Sequence, residues 1–235
     1  GSGISYLQYK KPGSSSWLTY TSGTNFSASA ASGTYQFRAV DKAGNISATK
    51  SITLDSSKPT MTLYSGDVSV SNGYKSIANY IKATATDSGS GVKTIYVKKP
   101  DASSYTEYAS GTQLTADGAY SFYCVDNAGN ASQTYTISMD HTRPTLTSSV
   151  GGFGKTLKDG FTVTASDNYS GVTLYYKTPN STSFVASTTS SVVFSKTAVN
   201  GTYGFYAVDG FGNRSDTCYM YISIDAPEAT IVRSD

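Results

Sequence analysis

Aspartate is the residue type whose spacing in this 235-residue chain could support metal chemistry. Asp126 and Asp209 each open the string Asp-x-x-Gly-Asn, and Asp140 and Asp225 each stand a few residues before a proline. Oxygen ligands of this kind near a domain junction could hold a hard cation such as calcium. The candidate calcium ligands are Asp87, Asp126, Asn130, Asp140, Asp167, Asp209 and Asp225.

The alternative for these residues is a structural role in turns. Their spacing matches no calcium-binding loop. Asp and Asn in turns commonly accept hydrogen bonds from nearby backbone N–H groups, while Gly or Asn takes a positive φ. We favour the turn interpretation and expect no cofactor, with calcium as the alternative.

Catalytic groups are scarce in the chain. His141 is the single histidine, and the two glutamates, Glu107 and Glu228, do not recur at equivalent positions of the repeats described below. General acid–base pairs and nucleophile–histidine sets need such partners at close range. The sequence therefore predicts a protein that is not an enzyme and has no catalytic residues.

The two cysteines, Cys124 and Cys218, fall in different repeats at non-equivalent positions. No disulfide is expected within a domain, and distance disfavours one between domains. Both cysteines are predicted to be small buried hydrophobic residues.

Charge and hydropathy bear on two classes of partner. The net charge is +2 and only 14% of residues are charged, so no basic face for nucleic acid or anionic lipid is indicated. No run of apolar residues is long enough to span a bilayer. The sequence therefore predicts neither nucleic-acid binding nor membrane insertion.

One string recurs three times and defines the organisation of the chain. It reads GTYQFRAVDKAGN from Gly33, GAYSFYCVDNAGN from Gly118 and GTYGFYAVDGFGN from Gly201. A fixed period of about 85 residues with one internal motif indicates an array of a single domain type.

The register of this repeat predicts the domain boundaries. Residues 56–140 and 141–225 are two complete repeats, residues 1–55 are a partial repeat, and residues 226–235 are the start of a further repeat or a tail. The segment Gly1–Lys11 aligns with Gly89–Lys99, so the partial repeat is expected to lack its first two strands. An incomplete sandwich would expose a strand edge, which could pair with another chain.

The complete repeat 56–140 contains about seven strand-like segments in which apolar residues alternate with polar ones. These segments are Thr60–Tyr64, Tyr80–Thr86, Val92–Lys98, Ser104–Tyr108, Thr112–Thr115, Ala119–Val125 and Gln133–Met139. Helical periodicity is missing. The predicted fold class is all-β, with a small β-sandwich as the repeating unit.

Within the recurring string, Tyr120, Phe122 and Cys124 should share one face of a strand. A tyrosine that stands just after a Gly turn and two residues before a core residue resembles the tyrosine corner of immunoglobulin-like domains. Phe122 then stands where an antibody domain would place its second cysteine, so its ring should fill the space between the sheets.

Surface aromatic residues raise the question of glycan binding. Trp17, Tyr105 and Phe184 each lie five residues after a repeated proline. An aromatic residue held at the same place in every unit favours packing over a ligand platform. Phe211 is more individual, because alanine stands at this turn position in the other two copies, and it is the candidate contact residue.

The recurring string, preceded by Asp-x-x-x-Gly-Val at Asp87–Val92 and Asp167–Val172, resembles the bacterial immunoglobulin-like repeats of cell-surface and secreted proteins. The resemblance covers nearly the whole chain. It implies tandem immunoglobulin-like β-sandwiches arranged as an extended array, in an extracellular protein at the bacterial cell surface or cell wall. It implies no shared ligand and no catalytic residues, since this fold hosts many functions.

The expected function is that of a structural spacer that presents a distal domain. Two alternatives stay open: an adhesin or glycan-binding module, whose partner would be a host or cell-wall glycan or protein, and an accessory segment of a secreted carbohydrate-active enzyme. Near-identity of surface loops between repeats would favour the spacer. Divergence confined to one repeat, as at Phe211 and in Ser149–Asp159, would favour binding there.

Overall fold

The computed structural model of the chain describes residues 1–26 and 30–223. Every helix or strand element in this part of the chain is a strand, which confirms the all-β prediction. Within these residues the strands are β1 (Ile4–Lys10), β2 (Leu18–Tyr20), β3 (Gly33–Asp41), β4 (Lys50–Leu54), β5 (Thr60–Ser65), β6 (Val68–Val70), β7 (Tyr74–Ser76), β8 (Ile81–Thr86), β9 (Val92–Lys98), β10 (Thr106–Tyr108), β11 (Gly118–Asp126), β12 (Tyr135–Met139), β13 (Thr145–Ser148), β14 (Thr156–Leu157), β15 (Phe161–Ser166), β16 (Val172–Lys177), β17 (Val185–Ala186), β18 (Ser191–Phe194), β19 (Gly201–Asp209) and β20 (Cys218–Ile222). The same residues contain no helix that is long and apolar enough to cross a membrane.

The strands form five sheets in the described residues. Their orders are β2-β1-β3-β4, β6-β5-β8, β10-β9-β11-β12-β7, β13-β15-β18 and β14-β20-β19-β16-β17. β9 pairs antiparallel with β11, and β16 pairs antiparallel with β19, whereas β14 pairs parallel with β20. The second and third copies of the recurring string therefore lie on the central strand of a five-stranded sheet.

The backbone divides into two compact units. The first comprises Gly1–Gly73, Lys82–Leu114 and Tyr120–Ile137, and the second comprises Tyr74–Ile81, Thr115–Ala119 and, of the described residues, 138–223. The domain boundaries derived from the repeat, and the missing strands of the first repeat, stay predictions.

The predicted alternation along the recurring string is confirmed. In the first unit, Tyr120, Phe122 and Cys124 of β11 are buried, while Ser121 and Tyr123 are half-buried. β19 repeats the pattern with Tyr203, Phe205 and Ala207. Successive side chains of a strand point to opposite faces, so one face of each strand supplies the core.

The core of the second unit lies between a three-stranded and a five-stranded sheet. Phe161 on β15 and Phe194 on β18 join Phe205 on β19 and Met220 on β20 in one buried cluster. The ring centroids of Phe194 and Phe205 are 5.6 Å apart in an edge-on arrangement. Such aromatic pairs contribute about 0.5–1.5 kcal/mol beyond the burial of their area. Aromatic packing thus joins the two sheets where an antibody domain uses a disulfide.

The tyrosine corner is confirmed in two copies of the string. The Tyr203 hydroxyl donates to the carbonyl oxygen of Val199 at 2.8 Å, and the Tyr35 hydroxyl donates to that of Ala31 at 3.1 Å. Each bond reaches four residues upstream and fixes the loop that enters the strand.

Both cysteines are free, and they differ in burial. Cys124 is fully buried, as predicted. Cys218 is only half-buried, so its predicted place in the core is wrong. It shares a face of β20 with Met220 and Ile222, but it is the first residue of that strand, where less of the sandwich covers it.

The strand expected at Thr112–Thr115 is absent from the described structure, and β6 and β7 are additional strands. The Thr112 N–H donates to the Ala109 carbonyl oxygen at 3.1 Å, and the Thr112 carbonyl accepts the Tyr108 hydroxyl. These turn bonds occupy backbone groups that a strand would need for pairing.

The first sheet carries an aromatic cluster on one face. The ring centroid of Phe26 lies 4.9 Å from that of Tyr35, 5.3 Å from that of Tyr9 and 5.7 Å from that of Phe37. Phe26, Phe37 and Leu7 line an open cavity of about 480 Å³. The apolar face of this sheet is therefore partly open to solvent.

Candidate functional site

The Asp-x-x-Gly-Asn string forms the same hydrogen-bonded turn in each copy. One carboxylate oxygen of Asp126 accepts the Asn130 backbone N–H at 2.8 Å, and the other accepts the Asn130 side-chain amide at 2.7 Å. Asp209 and Asn213 make the same two bonds at 2.9 and 2.7 Å. Gly129 has a φ of 95°, a conformation that glycine adopts without steric cost.

The asparagine of the turn also binds the linker at the start of its own repeat, which is Asp55–Pro59 for the second repeat and Asp140–Pro144 for the third. The Asn130 side chain donates to the Asp55 carbonyl oxygen at 3.1 Å, and the Asn213 side chain donates to the Asp140 carbonyl oxygen at 2.8 Å. The turn pattern predicts that these side chains accept hydrogen bonds from local N–H groups. The structure shows them as donors, because an NH₂ group can serve a carboxylate and a carbonyl together.

The acidic residues converge into two equivalent clusters in the described part of the chain. Asp55, Asp87 and Asp126 form one, and Asp140, Asp167 and Asp209 form the other. In each cluster the three residues offer carboxylate oxygens that lie within 4.8 Å of one another. The candidates named from sequence thus meet in space, except that Asp225 lies outside the described residues and Asn130 presents its nitrogen to Asp126.

Asp55 is the cluster residue that the set of candidate ligands lacked. Its equivalence to Asp140 in the repeat was the available signal, because both stand a few residues before a proline. What spacing could not show is that this linker residue folds back against the two turns of its own repeat.

The Asp55 cluster is well supplied with hydrogen-bond donors. Asp55 Oδ1 accepts the Ser57 N–H at 3.0 Å and the Ser57 hydroxyl, and Asp55 Oδ2 accepts the Ser90 N–H at 2.7 Å. Asp87 Oδ2 accepts the Gly89 and Gly91 N–H groups at 3.1 and 2.8 Å. Hydrogen bonds from Ser57 and then Ser90 lower the pKa of Asp55 to about 2. These donors stabilise the charged carboxylate.

The carboxylates of the Asp140 cluster are bound by a different set of hydrogen-bond donors. Asp140 is fully buried, and its Oδ1 accepts the Thr142 N–H at 3.3 Å. Asp140 Oδ2 and Asp167 Oδ1 are buried and have no hydrogen-bond partner among the described residues. Burial raises the pKa of Asp140, a hydrogen bond from the Ser170 side chain opposes this shift, and the nearby charges of Asp167, Asp209 and Asp117 raise the pKa further.

Asp117 binds the linker that contains the single histidine. Its Oδ1 accepts the His141 backbone N–H at 2.9 Å and lies 2.6 Å from His141 Nδ1. Its Oδ2 accepts the Thr142 hydroxyl and the Asn168 amide, the latter at 3.5 Å. Although burial opposes it, hydrogen bonds from Thr142, His141 and Asn168 lower the pKa of Asp117. His141 and Thr142 thus both bind the Asp117 carboxylate, and these bonds hold the linker in place.

The repeated aromatic residues pack against neighbouring side chains. The Tyr105 ring stands edge-on to Tyr123 at a centroid distance of 4.9 Å, and Phe184 stands against Tyr206 at 4.8 Å. The Arg38 guanidinium lies 4.0 Å from the centroid of the Trp17 ring. These partners were not predicted from the sequence, because they depend on which strands pair and in which register.

Phe211, the candidate contact residue, is half-buried. Its ring centroid lies 5.8 Å from that of Tyr169 and 5.2 Å from the Lys75 ammonium. The ring is therefore already engaged in an aromatic and a cation–π contact within the second unit.

No protein-family model and no curated protein matches this chain. Three solved structures that resemble it are the FN1–FN3 domains of chicken CNTN1, extracellular domains 3–5 of Drosophila OTK and the fibronectin(III)-like modules of Clostridium thermocellum CbhA. Their identities to the chain are 13%, 11% and 16%, and their TM-scores are 0.30, 0.34 and 0.28. The matches cover 94%, 94% and 73% of this chain and 91%, 86% and 100% of those chains. Likeness at this level supports no functional statement, and the fold described above rests on the sheets themselves.

Proposed function

We propose that the chain is a non-catalytic structural segment of an extracellular protein at the bacterial cell surface. In this role the tandem immunoglobulin-like domains act as a spacer that presents a distal domain. The observation that supports the proposal is the repeated bond between the turn asparagine and the linker, from Asn130 to Asp55 at 3.1 Å and from Asn213 to Asp140 at 2.8 Å.

This bond matters for a spacer because it removes freedom from the linker. The asparagine that builds the turn also holds the carbonyl group at the start of the linker, so the linker backbone is fixed to the repeat that follows it. Asp55 adds its own bonds to Ser57 and Ser90. Ordering a residue costs about 1–2 kcal/mol of conformational entropy, which these bonds offset in the folded state. A spacer needs linkers that are ordered before any partner binds.

Glycan binding finds less support in the geometry. A sugar stacks on an exposed ring face, whereas Phe184 packs on Tyr206 and Lys177 lies 5.5 Å from the centroid of the Phe184 ring. Tyr175 and Tyr206 stack on each other with centroids 4.8 Å apart. The rings of this face are engaged with one another, so we place the adhesin and the enzyme-accessory roles behind the spacer role.

Single-molecule pulling on the full chain tests the spacer proposal. A load-bearing array should unfold repeat by repeat, and each complete repeat should release about 85 residues, or about 280–300 Å of extended chain. A single unfolding step for the whole described chain would count against independent load-bearing repeats. A glycan and matrix-protein array run with the same sample separates the alternatives, because a saturable signal lost in Phe211→Ala would support an adhesin.

A further inference from the structure

We infer that Asp140, Asp167 and Asp209 form a binding site for one divalent, oxygen-seeking cation of the calcium class, and that the equivalent cluster of Asp55, Asp87 and Asp126 does not. The inference goes beyond the proposed spacer role and does not depend on it. It rests on which carboxylate oxygens have hydrogen-bond donors and which have none.

The unpartnered oxygens are the first observation. Asp140 has 0% exposure, and its Oδ2 has no hydrogen-bond partner among the described residues. Asp167 Oδ1 is also buried and unpartnered there. A buried carboxylate oxygen without a donor is costly, because it has lost water and gained nothing in return. A cation within the cluster would satisfy both oxygens at once.

The second observation is a sequence difference that explains the missing donor. Gly89 of the first cluster corresponds to Tyr169 of the second. A Cβ atom on Gly89 would lie 2.4 Å from Cγ of Asp55, so only glycine lets this loop approach the carboxylate. The approach places the Ser90 N–H 2.7 Å from Asp55 Oδ2.

With tyrosine at this position, the loop takes another path. The Tyr169 and Ser170 N–H groups both donate to Asp167 Oδ2, at 3.0 and 2.8 Å. The backbone donor that Ser90 gives to Asp55 is therefore redirected in the second cluster, where Ser170 acts on Asp140 only through its side chain and Oδ2 has no donor among the described residues that meets hydrogen-bond geometry.

A second difference removes a hydroxyl donor. The Ser57 hydroxyl donates to Asp55, whereas the equivalent Thr142 hydroxyl donates to Asp117. Ser32 stands at the position equivalent to Asp117, and it binds Ser56 through a neutral pair of hydroxyls at 3.0 Å. The change from serine to aspartate thus both draws the threonine hydroxyl away and adds a carboxylate near Asp140.

The chemistry of the cluster fits a hard cation. Three carboxylates lie together, and calcium takes six to eight oxygen ligands at about 2.3–2.6 Å, several of which are commonly water. Asp209 Oδ1 accepts the N–H groups of Phe211, Gly212 and Asn213, so the turn holds the Asp209 carboxylate in place. Asp140 and Asp167 supply the carboxylate oxygens that have no hydrogen-bond donor in the described part of the chain. Magnesium demands a stricter octahedral geometry and gives up water reluctantly, which favours calcium.

Calcium titration of the full chain tests this site. After removal of metal with a chelator, isothermal calorimetry with calcium chloride should show one ion per chain, with a dissociation constant of about 10⁻⁴–10⁻³ M, the range of extracellular modules. Asp140→Asn and Asp167→Asn should each weaken binding by about 10-fold or more. Asp55→Asn and Asp87→Asn, the matched changes in the other cluster, should leave it unchanged.

His141 gives a local readout because it is the single histidine and lies one residue after Asp140. Its imidazole NMR signals should shift with calcium along the same saturation curve as the heat. Tyr169→Gly keeps every carboxylate and should weaken binding, since it allows the loop to return a donor to Asp140. This variant tests the inference even where Asp140→Asn fails to fold.

Three results would overturn the inference. The first is no saturable calcium binding up to about 10 mM, well above the expected dissociation constant. The second is binding of two ions per chain, with one lost in Asp55→Asn. The third is binding that survives in both Asp140→Asn and Asp167→Asn.

Discussion

Gly89 and Asp55 lie so close together that a Cβ atom on Gly89 would stand 2.4 Å from Cγ of Asp55. We expect Gly89→Ala to lower the free energy of unfolding by about 1–3 kcal/mol, because the loop must move and the Ser90 N–H then leaves the carboxylate. Urea denaturation followed by tyrosine fluorescence measures the loss.

Gly171→Ala is the control for this prediction. A Cβ atom there meets nothing within 4 Å, and the residue needs no positive φ. The change should stay within about 0.5 kcal/mol, as for other surface positions. Equal losses in the two variants would show that the contact with Asp55 is not the cause.

The lowered pKa of Asp55 predicts that the folded chain loses stability at acidic pH. Hydrogen bonds from Ser57 and Ser90 lower this pKa from 3.8 to about 2. The unfolded chain therefore binds the proton at a higher pH than the folded chain does, so stability falls as the pH drops from about 4 toward 2. Denaturation midpoints measured across this range should decrease, and the decrease should be smaller in Asp55→Asn, which has no proton to bind. An unchanged slope in the variant would contradict this assignment.

Asn213 links the turn of its repeat to the preceding linker. Asn213→Ala removes the bonds to Asp209 and to the Asp140 carbonyl, and we expect it to cost about 1–3 kcal/mol of unfolding free energy. Amide hydrogen exchange should show the loss as faster exchange at His141 and Thr142. Asn45→Ala is the matched control, since the Asn45 amide is exposed where it binds Asp41. A smaller effect is expected there, and the reverse order would argue against the linker bond.

The sequence was sufficient for the parts of the structure that local rules determine. Apolar alternation placed Phe122 and Phe205 in the core, and a glycine before a tyrosine predicted the corner formed by Tyr203. These features depend on residues close together in the chain, whose geometry follows from strand pleating and turn preferences. Cys218 was misplaced for a related reason, because alternation gives the face of a strand but not how much of its end is covered.

The acidic clusters could not be predicted from the spacing of residues in the sequence. Asp55, Asp87 and Asp126 are far apart in the chain, and only the folded linker brings them together. The difference between the two clusters was harder still to predict. Gly89 in one repeat and Tyr169 at the equivalent position of the next look like an ordinary loop difference until the distance from Gly89 to Asp55 is known.

The contrast between Asp55 and Asp140 gives the last prediction. Burial and the neighbouring charges raise the pKa of Asp140, so in calcium-free buffer the charged form destabilises the folded chain at neutral pH. Asp140→Asn keeps the shape and removes the charge, so it should raise the free energy of unfolding by roughly 1–4 kcal/mol, the range for two like charges 4 Å apart at effective dielectric constants between about 80 and 20. Asp55→Asn should lower it, because it weakens the bonds from Ser57 and Ser90. Urea midpoints in the presence of a chelator compare the two variants directly. If Asp140→Asn loses stability as Asp55→Asn does, then Asp140 has donors in solution that satisfy its charge, and the two clusters are alike.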